Sequence, residues 1–383
     1  MRCLRASDSG ERQATDLMRI GIDGRELVEG VRTGIGRYLI EVLRMASREG
    51  MECVVYGDQR TRLPLALPGV SGRLLGGGWT QWVDQVGLPI RLARDRISVF
   101  LSPYYKCPLF APCPVVITVH DLFFIHYPGE GRPVYDAVMT RLSRLYAARA
   151  GAVIADSEYS KRSIVATLGV SDAKVTVIPV ALGAEFKPEP LTDAVRLRYG
   201  IVPPYILYVG NFLPHKNVPR LIQAYAGLGR ELKDTHRLVL AGGDREHRND
   251  LERLAGRLSV ADRVLFPGLI EDAHLPAVYS GAALFVLPSL EEGFGLPALE
   301  AMACGAPVAA SNRTAIPEVV GDAALLFDPE NVTGMTEAMA RALSQQDVRE
   351  RMRRQGLARA VAFTPERTAG RVVALLREVG LRR

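Results

Sequence analysis

The sequence predicts an α/β protein made of two doubly wound, parallel-sheet domains that face each other across a cleft. Three observations carry this. Short aliphatic runs alternate with amphipathic segments along nearly the whole chain, the pattern of βαβ units. Most of those runs are continuously apolar rather than alternating, as strands buried on both faces are. The length of 383 residues also exceeds one ordinary domain of about 100–200 residues.

In chain order, strands are expected at residues 19–23, 52–56, 97–101, 115–119, 152–155 and 175–178. A second set is expected at 205–209, 237–241, 263–266, 283–287, 307–310 and 323–327. Between the sets, residues 184–204 hold Pro188, Pro190, Pro203 and Pro204, a linker composition that interrupts regular structure. Leu221, Tyr225 and Leu228 have the spacing of a helix with one buried face. The last helix is expected at Thr364-Pro365-Glu366, a threonine cap followed by proline in the first turn. Residues 1–17 are polar, carry three arginines and lack an apolar core. They are read as a disordered tail rather than a signal peptide.

Composition narrows the class. Hydrophobic residues make up 48% and charged residues 23%, which excludes a disordered chain, a collagen and a disulfide-stapled miniprotein. No stretch approaches the ~20 apolar residues of a spanning helix. Five cysteines without a C-x-x-C point to a reducing cytoplasm and away from a zinc site. The net charge is +6, with only six lysines among 48 basic residues. Such an arginine excess suits phosphate-bearing substrates or an anionic membrane surface, and a GC-rich genome gives the same bias. No aromatic-interleaved basic cluster speaks for nucleic acid.

The most informative stretch is Pro288-Ser-Leu-Glu-Glu-Gly-Phe-Gly-Leu-Pro-Ala-Leu-Glu300. It follows a predicted buried strand. Gly293 and Gly295 allow a tight turn and close approach to a ligand. Pro297 fits a helix start. The amides of Gly293, Phe294, Gly295 and Leu296 then point where an anion binds. Glu292 and Glu300 are eight residues apart, about 12 Å along a helix, so they suit opposite ends of an extended ligand.

Here the chain resembles the retaining glycosyltransferases of family 4, which have the GT-B fold. Glu292 and Glu300 match the family's E-x7-E hallmark. Tyr208-Val-Gly-Asn-Phe-Leu-Pro-His-Lys216-Asn resembles its diphosphate-binding turn, and Thr118-Val-His120-Asp121-Leu-Phe-Phe its cleft-facing turn. Ser311-Asn-Arg-Thr-Ala-Ile-Pro-Glu-Val-Val-Gly321-Asp is also typical. The likeness runs from about residue 18 to 380.

The resemblance implies an N-terminal, acceptor-side domain over residues 18–185 and a nucleotide-sugar-binding domain over 186–364. It implies that the final helix, 365–383, crosses back to the first domain. It implies that Glu292 contacts donor-sugar hydroxyls, that Glu300 binds the ribose and that His120 contacts the donor sugar, with Asp121 nearby. Gly34 and Gly36 border the donor phosphates, and Leu269 the base. Lys216, ahead of a helix expected to start at Asn217-Val-Pro219, supplies charge for the diphosphate. Many relatives place arginine where this chain has Asn211, so Lys216 carries more of the load, with His215 as an auxiliary. His120-x5-His126 is no dependable metal spacing, and Asp244 reads as structural.

The chain has no D-x-D triplet, so no metal or other cofactor is expected beyond the nucleotide-diphosphate sugar donor. No residue stands out as a nucleophile, which favours same-face attack. The likeness to mannosyltransferases of bacterial surface polysaccharides favours GDP-mannose, with a saccharide or lipid-linked saccharide acceptor. Arg91, Arg94, Arg96, Arg141, Arg144 and Arg149 lie in helical stretches with apolar neighbours and suit a protein peripheral on the inner face of the cytoplasmic membrane. Two other classes fit the fold: a sugar-nucleotide epimerase, and an inactive sugar-nucleotide-binding partner in an assembly complex. Epimer formed from donor alone would mark the first, and donor hydrolysis would exclude the second.

Overall fold

A computed structural model of the chain describes residues 18–28, 34–63, 66–76, 82–122, 125, 133–243 and 245–382. The predicted tail 1–17, Phe123, Phe124, His126 and Asp244 lie outside the described residues.

Seven strands form the first sheet: β1 Arg19–Asp23, β2 Glu52–Gly57, β3 Val70–Leu74, β4 Val99–Ser102, β5 Val115–Val119, β6 Ala152–Ala155 and β7 Val175–Val177. Their spatial order is β3-β2-β1-β4-β5-β6-β7, and every pairing is parallel. Six strands form the second: β8 Tyr205–Val209, β9 Arg237–Ala241, β10 Val264–Gly268, β11 Leu284–Leu287, β12 Val308–Ser311 and β13 Ala324–Phe327. Their order is β10-β9-β8-β11-β12-β13, again all parallel. Both sheets are doubly wound. The strand order reverses beside β1 and β4 in the first and beside β8 and β11 in the second, and ligands in such sheets bind beyond the strand ends at that reversal.

Twelve of the thirteen strands follow the apolar runs. The exception is β3, Val-Ser-Gly-Arg-Leu, an edge strand with Gly72, Arg73 and Leu74 exposed. An edge strand buries little and so leaves no apolar run to read.

Helices cover both faces of each sheet. On the first sheet, Leu39, Val42 and Leu43 of the Gly34–Arg48 helix pack on Ile20 and Ile22. Val372 and Leu376 of the C-terminal helix, Pro365–Leu381, join the same layer. The last helix therefore rests on the first sheet, and its start is capped by Thr364, whose side chain accepts from the Arg367 amide. The opposite face holds the Leu88–Arg94, Pro133–Arg149 and Glu158–Leu168 helices over Phe100, Ile117 and Val153. The chain passes between the two halves twice. At the crossings the Leu182 amide donates to the Phe363 carbonyl at 2.8 Å, and the Thr368 hydroxyl to the Pro179 carbonyl at 2.9 Å.

Candidate active site

The site begins where β11 ends. Leu-Phe-Val-Leu is fully buried, and the chain then turns through the glycine loop into the Leu296–Ala303 helix. Gly295 precedes the helix with φ +96°, a conformation that L side chains rarely adopt. Pro297 occupies the second helical position, one later than expected. Gly293 is required for another reason. A Cβ there would lie 2.2 Å from the His120 carbonyl oxygen, so the loop after β11 and the loop after β5 approach as closely as backbones can.

Glu292 is 6% exposed. Its Oε1 accepts from Lys216 Nζ at 2.8 Å and from the Ser289 hydroxyl at 2.7 Å. Lys216 ends the short turn Pro214–Lys216 after β8. The two residues thus come from the two strands that flank the reversal of the second sheet. In the sequence they stand as separate functional groups; the fold joins them as an ion pair with side chains 14% and 8% exposed. Lys216 is therefore a paired cation whose charge Glu292 partly offsets.

Two neighbours of Lys216 are fixed by the fold, and the helix starts at Asn217 as expected. His215 is buried, and burial, aided by the Lys216 charge, lowers its proton affinity against the pull of Glu292, Glu291 and Asp121, which disfavours a second cation beside the lysine. Asn217 does not cap the Val218–Ala226 helix with its side chain. It sits at φ +59° and donates to the carbonyls of Pro288 and Pro329 at 3.0 and 2.7 Å. That ties the lysine turn to the glutamate loop.

Glu300 accepts from the Tyr279 hydroxyl at 2.9 Å. Burial pushes its carboxyl up to about 7, against the opposing pull of that hydroxyl and of Arg37. Glu300, Leu296, Gly34, Gly36 and Arg37 line one open cleft of about 800 Å³. Arg37 spans it, paired with Glu185 at 2.7 Å and Asp272 at 3.0 Å.

His120 and Asp121 follow β5. The His120 Nδ1 lies 2.9 Å from Asp156 Oδ2. Burial opposes charge on the ring, but Asp156, Asp121 and the Pro103 carbonyl outweigh it and hold His120 above its ordinary pKa. Asp121 faces the glycine loop beside Glu291, Glu292 and Gly293. Across this junction Ser160 Oγ donates to the Gly293 carbonyl at 2.8 Å, with Ser157 Oγ at 3.0 Å. The Glu318 carboxylate accepts from the amides of Glu158 and Tyr159, both at 2.8 Å.

The remaining predicted residues divide. The Phe294 side chain packs edge-on against Phe363, centroids 5.8 Å apart, and belongs to the core, which leaves only its backbone to face the loop. Asn211 is exposed, and its Oδ1 accepts from the Leu213 amide at 3.3 Å, shaping its own turn. Leu269 is 81% exposed beyond the edge strand β10, apart from the cluster around Glu292. Asp156, Tyr279, Ser289 and Glu318 are not singled out by the sequence, although Ser289 and Glu318 lie inside its two most recognisable stretches and Asp156-Ser157 ends an apolar strand. Among the described residues, no three His, Cys, Asp or Glu side chains are placed to hold a metal ion.

Two doubly wound parallel sheets with this cleft define the GT-B fold. Comparison with known proteins agrees. Sucrose-phosphate synthase from Thermosynechococcus elongatus shares the fold with a TM-score of 0.74 at 21% identity, over 94% of this chain and 98% of that one. Residues 200–359 match Glycosyl transferases group 1, and residues 32–182 match Glycosyltransferase Family 4. The chain belongs to the group 1, family 4 glycosyltransferases. It is 33% identical to O-antigen chain mannosyltransferase B of Escherichia coli over 217 residues, 56% of this chain and 57% of that protein. It is 29% identical to O-antigen chain mannosyltransferase RfbU of Salmonella typhimurium, over 82% of this chain and 86% of that one. The match thus spans little more than half the length of the first of these relatives.

Proposed function

We propose that this chain is a retaining, metal-independent glycosyltransferase. It moves a hexose, with mannose favoured, from a nucleotide-diphosphate sugar to a saccharide or lipid-linked saccharide acceptor in surface polysaccharide synthesis. The observation that carries the reading is the meeting of Lys216 and Glu292 at the strand reversal of the second sheet, with Glu300 of the following helix lining the open cleft. The mannosyltransferase relatives support the choice of sugar.

Transfer breaks the anomeric C–O bond to the diphosphate and forms one to an acceptor oxygen. The acceptor proton leaves on a phosphate oxygen on the same face. Charge grows on the diphosphate, and a fixed positive field there lowers the barrier. Lys216 and the amides of Gly295 and Leu296 supply it. Glu292 takes the donor-sugar hydroxyls, Glu300 the ribose, and His120 approaches the sugar from the first domain.

An apolar and basic face supports a membrane-borne acceptor. Trp82 is 64% exposed and Phe110 76%. Gln85 joins their segments by hydrogen bonds to the Cys107 carbonyl and the Leu109 amide, and Arg149 lies over the Phe110 ring at 5.9 Å. Aromatic rings amid arginines suit anionic headgroups. Among the described residues no helix is long and apolar enough to cross a membrane, so the proposed place is peripheral, on the inner face of the cytoplasmic membrane.

The test is release of nucleoside diphosphate from GDP-mannose, UDP-glucose and ADP-glucose with saccharide acceptors, followed by NMR of the new anomeric centre. An α-linked product from an α-linked donor is expected. Inversion refutes the retaining mechanism, and an epimer formed from donor alone refutes glycosyl transfer.

A further inference from the structure

Asp156 has no part in the reading above, yet its placement is specific. β5 and β6 are adjacent parallel strands, with Val119 opposite Ala155. The residues that follow them, His120 and Asp156, therefore leave the sheet side by side. Asp156 is 4% exposed, and a buried carboxylate is costly unless it is hydrogen-bonded. Its Oδ2 lies 2.9 Å from His120 Nδ1. The other ring nitrogen, Nε2, is buried and lacks a well-aligned partner, and the Pro103 carbonyl is the backbone acceptor that faces the ring. His120 lines a cavity of about 380 Å³ whose other polar groups include Tyr38 and Thr118.

We propose that Asp156 is a positioning residue: it keeps a proton on Nδ1 of His120 and turns Nε2 toward the cleft to meet a donor-sugar hydroxyl. The hydroxyl contact rests on the glycosyl-transfer reading; the His120–Asp156 pairing does not. A carboxylate on one imidazole nitrogen fixes which nitrogen carries the proton and how the ring is aimed. The same turn binds the opposite domain, since Ser160 holds the Gly293 carbonyl and Glu318 the amides of residues 158 and 159. The aim of the ring is thus built into the junction that sets the glycine loop.

The groups facing His120 are Asp156 after β6, Asp121 beside it, the Pro103 carbonyl after β4, the Tyr38 ring edge-on at 6.5 Å and Glu26 on the cavity wall. Asp156 is the carboxylate bonded to the ring. Removing its charge lowers the proton affinity of the ring.

The experiment uses the full chain labelled with 15N-histidine, with long-range proton–nitrogen spectra recorded across pH. H120Q identifies the signal among six histidines. Expected are a proton on Nδ1 in the wild type and, in D156N, a titration midpoint lower by about one pH unit or more, with the other five signals unmoved. A neutral ring protonated on Nε2 in the wild type, or an unchanged midpoint in D156N, overturns the proposal. With GDP-mannose as the probe donor, D156N is expected to lower kcat at least about tenfold and to shift the pH profile to lower pH, with D156E restoring part of the rate. Wild-type kinetics in D156N overturns the positioning role. The expected spectra from a chain that turns over no nucleotide sugar support the pairing and refute the glycosyl-transfer reading alone.

Discussion

Replacing Glu300 by glutamine removes a carboxyl that burial holds up to about 7 in the folded chain, against an ordinary 4.5. Between those pH values the folded protein keeps a proton that the unfolded chain has released, so stability falls as pH rises through the interval. At about 1.4 kcal/mol per pH unit the loss is about 3 kcal/mol, complete above the folded pKa. Glutamine matches the shape, cannot ionise and still accepts from Tyr279 through its amide oxygen. E300Q should therefore equal the wild type within about 1 kcal/mol at pH 5 and exceed it by about 3 kcal/mol at pH 8. For a unit of 150–250 residues this is a rise in Tm of about 6–12 °C at pH 8, read by circular dichroism for both proteins at both pH values. An equal gain at the two pH values, or a lower Tm for E300Q at pH 8, would refute the assignment of a buried, destabilised carboxyl.

Other outcomes follow from the same structure. If Glu300 grips ribose as an anion, GDP affinity measured by calorimetry should rise from pH 6 to pH 8 in the wild type more than in E300Q; parallel curves would sink that contact. Gly293→Ala places a methyl 2.2 Å from the His120 carbonyl, so the loops must part and turnover should fall about a hundredfold, with a larger radius of gyration in small-angle scattering. Asn217→Ala leaves the Pro288 and Pro329 carbonyls without their donor and should cost about 2–4 kcal/mol in urea unfolding. The chain should float with anionic liposomes at low salt and not at high salt; a W82S/F110S double variant should lose binding, and no flotation at low salt would remove the membrane proposal.

What the sequence disclosed tracks burial and local geometry. Strands covered on both faces, such as Val115–Val119, appear as unbroken apolar runs, whereas the exposed edge β3 does not. Glu292 and Glu300 stood out because the glycines and proline around them are needed by a turn and a helix start within a dozen residues. Their partners did not stand out, because partnership is made by the sheet. Lys216 and Glu292 are 76 residues apart, and His120 and Asp156 are 36. The sequence marks His215 as an auxiliary to Lys216 and Asn217 as a helix start. Burial lowers the proton affinity of the first, and two distant carbonyls claim the side chain of the second.

The double crossing between the halves has a mechanical consequence. The two chain segments that join the halves are bonded to each other at Leu182 and Phe363, so a twist of one half past the other would have to break that bond. A rotation that parted the halves would also draw Gly293 away from the carbonyl of His120, so the fit of the two loops depends on how the halves are joined as well as on the contact itself. Cutting the chain between Phe363 and the last helix would leave one connection where the fold now has two.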